Sequence, residues 1–435
     1  MNNFKHLRNV LFHEIMALSK SSSLFTESSV DFSRNRKLNF ETVIKQIICM
    51  EAGSLKDELL KYFDFSLDTP TASAFVQARS KIKVDAFKTL FERFNQYTKT
   101  NKTYKGYRLL AIDGSELPID NTIYDEETTL IRHGGTNAPY SAFHLNACYD
   151  LLEYTYENVL IQGEAKMDEN NAFCKLVDSY IGPKSIFMGD RGYESYNGFL
   201  HVMYSGNFFL IRVKDIYSKT SITKSLGPFP DGEFDIDVHR ILTTKQTNYI
   251  KEHADTYKYI PKIMHLDYLT KETKECEFNC RIVRFKLSED SYETIMTNLD
   301  RNDFPMEEIK SLYQMRWGIE TSFREVKYAI GLNALHAKKR NLIKQEIYAR
   351  LLLYNFSQRI IAEISLPKKK RKQRYESQVN FTRAFHIIRT FLNKKGGNPP
   401  VDNLIANEIL PIRPGRSDSR HVKPKTVVCF NYRYD

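Results

Sequence analysis

The sequence predicts a mixed α/β fold in which a sheet is preceded by an all-α N-terminal region and followed by C-terminal helices. Apolar residues recur at helical spacing through roughly the first 100 residues. Buried-strand runs then alternate with helical segments from about 107 to 213, and a long amphipathic helix follows at about 306–331. Strands interleaved with helices in this way are typical of a mixed α/β sheet.

The N-terminal region is predicted to contain helices with one apolar face. The apolar residues of these helices fall at about 7–18, 43–48 and 72–94. Basic side chains surround the third stretch: Arg79, Lys81 and Lys83. Short helices with basic residues form either a DNA-binding head or a plain helical bundle, and the sequence favours neither.

The predicted strands begin where the residue pattern changes, at residue 107. The first strand, 107–112, is expected to end at an Asp113-Gly114 turn. Further strands are predicted at 143–152, 155–161, 185–188 and 208–213, with helices at about 170–180 and 196–204. Because the strand 185–188 stops at Gly189-Asp190, an acidic residue is expected just after each of two strands.

The remainder of the chain is predicted to contain a β-rich insertion and several helices. Turn residues cluster between about 214 and 300, and short alternating runs appear there, which favours a mostly β segment. Pro305 is expected to open the long helix and Gly331 to end it. Further helices are predicted at about 341–364 and 379–393.

Composition narrows the classes of protein that this chain can be. The 435 residues include 64 Lys+Arg and 53 Asp+Glu, a net charge of +11, which favours a nucleic acid as partner. No apolar run approaches the ~20 residues of a membrane helix, and charges interrupt the N-terminus, unlike a signal peptide. Cys276 and Cys280 lack a second Cys or His pair at zinc spacing, so reduced cytosolic thiols are expected.

The long helix carries four polar groups along one stripe. At 100° per residue, Tyr313, Arg316, Glu320 and Lys327 fall within about 60° of one another, beside the apolar stripe. An ordinary solvated face with an Arg316–Glu320 ion pair would explain two of them, but it does not require all four to align. Glu325 falls on the far side. Because the four polar groups border the apolar stripe, we expect them to lie at the rim of a cleft.

Carboxylates from two strand ends and a helix suit divalent cations. Mg²⁺ prefers oxygen ligands, and two such ions can drive an in-line phosphoryl displacement. Arginine, lysine and tyrosine on the same rim would contact backbone phosphates. The predicted set is chemically coherent for cutting and joining DNA.

Over about 107–365, the sequence resembles the insertion sequence 4 family of DDE transposases. The Y-R-E-K signature of that family is matched without a gap by Tyr313-x2-Arg316-x3-Glu320-x6-Lys327. The contexts of the two aspartates are also similar to the family: Ala111-Ile-Asp113-Gly-Ser and Gly189-Asp190-Arg-Gly-Tyr193.

The resemblance implies three regions. A helical DNA-binding region is expected at 1–100 and a ribonuclease H-like catalytic domain at 101–365, with the β-rich insertion at about 214–300. A basic helical region and tail are expected at 366–435.

The resemblance also implies cut-and-paste transposition. A homodimer would bind double-stranded DNA at the terminal inverted repeats, cleave the ends by metal-dependent hydrolysis and join the 3′ ends to target DNA, in the bacterial cytoplasm at the nucleoid and without a membrane. Two Mg²⁺ ions, or Mn²⁺ as a substitute, are expected in each active site. The implied metal ligands are Asp113, Asp190 and Glu320, and the implied DNA contacts are Tyr313, Arg316 and Lys327.

One feature departs from the family. Some relatives place a tryptophan in the β insertion, where it stacks on a base during a hairpin step. The only tryptophan here is Trp317, on the long helix, so Tyr257 or Tyr259 would have to take that role.

Two other functions are compatible with the sequence, namely a domesticated transposase that only binds DNA and a metal-dependent nuclease that cuts without joining. The three carboxylates argue against the first, because a binding protein does not need them. Two weaker patterns also leave alternatives open. His133-Gly134-Gly135 and His144 are either a DNA-contacting loop or a turn and a core histidine, and the basic run 368–374 is a phosphate-binding arm or a solvated linker.

Overall fold

The computed structural model describes residues 3–130, 140–264, 266–289, 291–366, 375–394 and 399–413. The helices of the N-terminal half are α1 Asn3–Lys20, α2 Phe40–Cys49, α3 Leu55–Tyr62, α4 Ala72–Arg79, α5 Val84–Thr98, α6 Glu169–Asp178 and α7 Tyr196–Tyr204. Those that follow are α8 Asn248–Glu252, α9 Met306–Met315, α10 Trp317–Arg324, α11 Arg340–Ile361, α12 Phe381–Leu392 and α13 Val401–Asn407. The predicted patterns at 133–135 and 368–374 lie outside the described residues.

The strands fall into one large sheet and one small ribbon. The first six strands are β1 Arg108–Ile119, β2 Thr129–Leu130, β3 Tyr140–Asp150, β4 Thr155–Gly163, β5 Ser185–Gly189 and β6 Phe208–Val213. The other six are β7 Phe234–Thr243, β8 Tyr257–Tyr259, β9 Glu275–Ser288, β10 Ser291–Thr297, β11 Ser377–Val379 and β12 Ile409–Pro411. The β11–β12 ribbon and α13 were not predicted.

The large sheet is mixed, as predicted. Its order is β2-β3-β1-β5-β6-β10-β9-β7-β8, with β4 on β3. The strands β1, β5 and β6 run parallel, whereas β3 is antiparallel to β1 and β10 is antiparallel to β6. The β-rich segment between 214 and 300 extends this sheet through β7 to β10 rather than forming a separate one.

Apolar residues cover both faces of the sheet because successive residues of a strand point to opposite sides. On β1, Leu109 and Ala111 belong to a core that includes the N-terminal helices and α11. Leu110 and Ile112 belong to a second core with α6 and α7. In the described ranges, no helix is long and apolar enough to cross a membrane.

The third predicted N-terminal helix is in fact two helices, α4 and α5. The chain leaves the helical path between them because Ile82 is buried and forms a β-bridge with Thr26. A single straight helix would not place Ile82 there. Helix α3 was missed by the sequence reasoning, although Ser54 accepts a hydrogen bond from the Asp57 amide and caps its start.

A buried ion pair joins the N-terminal helices to α11. Arg79 Nη1 lies 2.7 Å from Glu346 Oε1, and both side chains are nearly inaccessible to solvent. Arg79 Nε also donates to Gln345 Oε1 at 2.9 Å, and the His336 amide donates to the second oxygen of Glu346 at 2.9 Å. Removing one partner of such a pair leaves an uncompensated buried charge.

The long predicted helix is interrupted. It divides into α9 and α10 at Arg316 and then widens into a π-helical turn, Glu325–Ala329, before Gly331 ends it with a φ of 88°. Glu325 is not on a solvated side, because the Tyr354 hydroxyl of α11 donates to its Oε2 at 3.0 Å. Burial raises the pKa of Glu325 to about 7.

We expect Arg79→Ala to lower the free energy of unfolding by about 3–5 kcal/mol, since Glu346 would stay buried without its partner. Urea unfolding measures the change. The matched control is Lys81→Ala, which removes an ion pair with Asp31 in which the lysine is about half exposed, and about 1 kcal/mol or less is expected. An equal loss of unfolding free energy in the two variants would contradict the role of Arg79 in joining the N-terminal helices to α11.

Glu325→Gln should stabilise the protein at pH 8 and have little effect at pH 5. The folded-state pKa lies above the unfolded value, so the folded protein holds the extra proton between about pH 4.5 and 7, and stability falls as pH rises through that window. With about 1.4 kcal/mol per pKa unit and partial exposure, the expected gain at pH 8 is about 1–2 kcal/mol. Thermal unfolding at both pH values, with exposed Glu307→Gln as control, measures it. A gain in stability that is the same at pH 5 and pH 8 would contradict a raised pKa of Glu325 in the folded protein.

Candidate active site

Asp113 lies within β1, and the predicted turn at Asp113-Gly114 is wrong. The antiparallel partner β3 pairs with β1 as far as Ile119, which keeps the strand extended through both residues. The parallel partner β5 pairs only as far as Ala111. Asp113 therefore lies just beyond the point at which β1 loses its neighbour on that side.

Asp190 directly follows the last residue of β5, as predicted. It remains extended, and its Oδ1 accepts a hydrogen bond from the Gly192 amide at 2.8 Å, which caps a short 3₁₀ turn. Ile186 and Met188 share the core face with Leu109 and Ala111 of β1. Strand alternation thus directs Asp113 and Asp190 to that same face, at the carboxyl ends of two parallel strands.

Glu320 comes from α10, which crosses this face of the sheet. Ile319 and Phe323 of α10 belong to the same core as Leu109. A Cβ on Gly318 would lie 3.0 Å from Leu151 Cδ2, so glycine permits this close approach of helix and sheet. The structure thus brings the three predicted carboxylates to one place although 207 residues separate the first from the last in sequence (320 − 113).

Arg316 lies between two of these carboxylates. Its Nη2 donates to Glu320 Oε1 at 2.8 Å, and its Nη1 lies 3.7 Å from Asp113 Oδ2. Arg316 is only 4% exposed, whereas the side chains of Asp113 and Glu320 are 20% and 32% exposed. The arginine therefore compensates negative charge from inside the protein while the acids face outward.

The carboxylates share one electrostatic environment. Burial raises the pKa of Asp113 to about 6, and the charges of Asp190 and Glu320 add to the rise, whereas Arg316 opposes it. An all-oxygen donor set of this kind suits a hard divalent cation. Within the described ranges, however, no group of three or more His, Cys, Asp or Glu side chains is arranged to hold a metal ion.

The polar stripe of the long helix does not form an exposed rim, which corrects that prediction. Tyr313 is 2% exposed, its hydroxyl has no hydrogen-bond partner among the described residues, and burial raises its pKa to about 12. Lys327, in the π-helical turn, donates from Nζ to the backbone oxygen of Glu116 at 2.6 Å. The stripe therefore faces the sheet beside the carboxylates, and Lys327 contacts β1 three residues beyond Asp113.

Of the two alternatives for His144, the structure shows the core histidine, in β3, but sequence reasoning missed the ionic cluster that it forms behind Asp113. His144 is buried, with Nδ1 3.0 Å from Glu164 and Nε2 3.0 Å from Glu169. Burial alone would lower its pKa, but the hydrogen bonds to the two glutamates raise it to about 9. A Cβ on Gly114 would lie 2.4 Å from His144 Nε2, so this glycine is required by crowding rather than by a turn.

Comparison with known proteins places this geometry in context. The family described as "Transposase DDE domain" matches residues 104–356. The transposase for insertion sequence element IS1151 of Clostridium perfringens is 23% identical over 378 residues, covering 80% of this chain and 78% of the relative. The transposase InsG for insertion sequence element IS4 of Escherichia coli K12 is 23% identical over 356 residues, covering 77% and 72%.

Among solved structures, a cryo-EM structure of the piggyBac transposase synaptic complex with hairpin DNA is similar. It has a TM-score of 0.47 at 11% identity and covers 96% of this chain and 87% of that one. The family match spans more than half of the chain and includes all six residues of the candidate site. The chain therefore belongs to the family of transposases with a DDE domain, in the insertion sequence 4 group.

Proposed function

We propose that this transposase moves its element by a cut-and-paste route. It binds the terminal inverted repeats, hydrolyses the phosphodiester bonds at the element ends and joins the 3′ ends to target DNA. The observation that carries the proposal is the convergence of Asp113, Asp190 and Glu320 on one face, at the carboxyl ends of β1 and β5. Carboxylates gathered in this way are costly unless a cation accompanies them.

Asp113, Asp190 and Glu320 are the proposed ligands of two Mg²⁺ ions, with Mn²⁺ as a substitute. When bound, such ions supply an activated attacking oxygen and stabilise the leaving oxygen of an in-line displacement. The paired sheet fixes the backbones of Asp113 and Asp190, and the packing of α10 on the sheet fixes that of Glu320. Their partial exposure leaves the oxygens open to a phosphate that arrives from outside.

Arg316, Lys327 and Tyr313 are the proposed contacts to the DNA end. The guanidinium of Arg316 can offer a bidentate fork to a phosphate, and Lys327 offers a point charge. The Tyr313 hydroxyl, which is buried and lacks a partner among the described residues, is the proposed group that positions the strand or a water. Tyr313 lies in α9, Arg316 at the joint between α9 and α10, and Lys327 in the π-helical turn that follows, so all three belong to one continuous segment beside the carboxylates.

The finer architecture is also a proposal. The arrangement β4-β3-β1-β5-β6, with β3 antiparallel to parallel β1, β5 and β6, supports a ribonuclease H-like catalytic core at 101–365. The helices of 1–100 are the proposed DNA-binding region, and 366–435 is a basic accessory region. A homodimer that holds both element ends, in a bacterial cytoplasm at the nucleoid, completes the proposal.

Asp113→Ala, Asp190→Ala and Glu320→Ala should each reduce cleavage of inverted-repeat DNA by at least about 100-fold. Loss of a residue that only supports a metal ligand already costs up to about 100-fold in activity, and loss of a ligand itself should cost at least as much. Gel-shift affinity for the same DNA should survive. Glu325→Ala, which removes a carboxylate from the same stretch of helix outside the site, is the matched control and should cleave normally. Wild-type cleavage by any one of the first three would remove that residue from the site.

Metal identity distinguishes the proposal from its rivals. Ca²⁺ binds oxygen ligands at longer distances and in looser geometry than Mg²⁺, so it should assemble the DNA complex but scarcely support cutting. Mg²⁺ and Mn²⁺ should support both cutting and joining, and EDTA should abolish both. Cleavage in EDTA would exclude the metal mechanism. Cutting without joining, on authentic ends with target DNA present, would favour a plain nuclease, and binding without any cutting would favour a DNA-binding protein.

A further inference from the structure

We infer that Arg316 is a built-in counter-ion that keeps metal ions out of the carboxylate site until the phosphate of a DNA end draws it away. This inference rests on the proposed function, because it takes Asp113, Asp190 and Glu320 to be the metal ligands. It adds that metal binding and DNA binding are coupled through one side chain. Without DNA, the site should therefore bind metal weakly.

The contacts of Arg316 place its charge where a cation would lie. Its two terminal nitrogens reach separate carboxylates, Glu320 at 2.8 Å and Asp113 at 3.7 Å. One guanidinium thus bridges two of the three proposed metal ligands. A metal ion and this guanidinium would compete for the same oxygens and repel each other at short range.

The acids share one face but do not form a closed ligand set in this arrangement. No group of three described acidic, histidine or cysteine side chains converges closely enough to hold an ion, even though Asp113 senses the charges of both Asp190 and Glu320. The guanidinium lies between Asp113 and Glu320, so the acids cannot close on a small ion while it stays. Its departure would free an oxygen on each.

Two aromatic rings stabilise the Arg316 side chain in its present position, and one of them borders solvent. The guanidinium carbon lies 5.6 Å from the Tyr313 ring centroid and 5.4 Å from that of Trp317, both within cation–π range. Tyr313 is buried, but Trp317 is 57% exposed, so one wall of the niche borders solvent. Arg316 also forms the joint between α9 and α10.

A phosphate would give Arg316 a hydrogen bond that it lacks in its present position. Arg316 Nε has no hydrogen-bond partner among the described residues although it is buried. A backbone phosphate of DNA can accept two parallel hydrogen bonds from an arginine, one of them from Nε, which has none here. By linkage, if DNA removes Arg316 from the acids, DNA must tighten metal binding and metal must tighten DNA binding by the same factor.

The test measures binding of Mn²⁺ alone, by the electron paramagnetic resonance signal of the free ion, with no DNA and no turnover. We expect Arg316→Ala and Arg316→Gln to bind Mn²⁺ at least about tenfold more tightly than the wild type. Arg324→Ala removes the same charge from α10 outside the site and should bind like the wild type. Arg316→Lys keeps a charge that cannot bridge both acids, so an intermediate affinity is expected.

A second arm adds uncleaved duplex from the DNA that flanks the gene, in Ca²⁺-free buffer with Mn²⁺ at low temperature. DNA should tighten Mn²⁺ binding by the wild type about tenfold and by Arg316→Ala less than twofold. Circular dichroism and thermal unfolding establish that each variant is folded. If Arg316→Ala is not folded, the comparison rests on Arg316→Gln and Arg316→Lys.

The outcomes separate this inference from the proposed function. If Mn²⁺ binding is lost in Asp113→Ala and Glu320→Ala but is unchanged in Arg316→Ala and Arg316→Gln, the counter-ion inference is wrong and the metal site stands. If Mn²⁺ binding with DNA present is unchanged in Asp113→Ala and Glu320→Ala, the proposed metal site fails. Tighter binding in every variant that removes a positive charge, including Arg324→Ala, would reduce the effect to net charge and would also overturn the inference.

Discussion

The parallel pairing of β1 with β5 is the constraint on which the rest of the site depends. It brings together two segments that lie about 75 residues apart and sets their register, so that Asp113 and Asp190 come to the same end and the same face of the sheet. Helix α10 packs across the apolar residues of that face and places Glu320 there. The chemistry of the site follows from sheet register first and from helix packing second.

The electrostatics of the site follow from this packing. Three carboxylates near one another in a partly buried place are unfavourable, as the raised pKa of Asp113 shows. In this structure the buried Arg316 guanidinium, which contacts the rings of Tyr313 and Trp317, offsets part of this electrostatic cost. The proposed exchange of the Arg316 charge for metal ions, when a DNA end binds, would link this charge compensation to catalysis.

Elements whose bounds depend on local residue patterns could be predicted from the sequence. The bounds of α7 and β6 match the predictions, because apolar runs and turn residues define both. The extent of β1 was not predictable, since its long partner β3, rather than the Asp113-Gly114 dipeptide, keeps it extended. The helical-wheel argument located the Tyr313–Lys327 stripe but not its burial, because burial depends on the sheet beneath. His144 was noted in the sequence, but its two glutamate partners were not, because the turn after β4 and the start of α6 bring them to it only in the folded chain.

Anomalous diffraction at the manganese edge, from crystals of the protein with a DNA end, tests the central claim most directly. We expect manganese peaks about 2.0–2.3 Å from carboxylate oxygens of Asp113, Asp190 and Glu320, distances expected for oxygen ligands of such an ion. We also expect that the Arg316 guanidinium has left Glu320 and contacts a phosphate. Manganese absent from these three residues, or an Arg316 that still bridges Asp113 and Glu320 with metal and DNA bound, would contradict this claim.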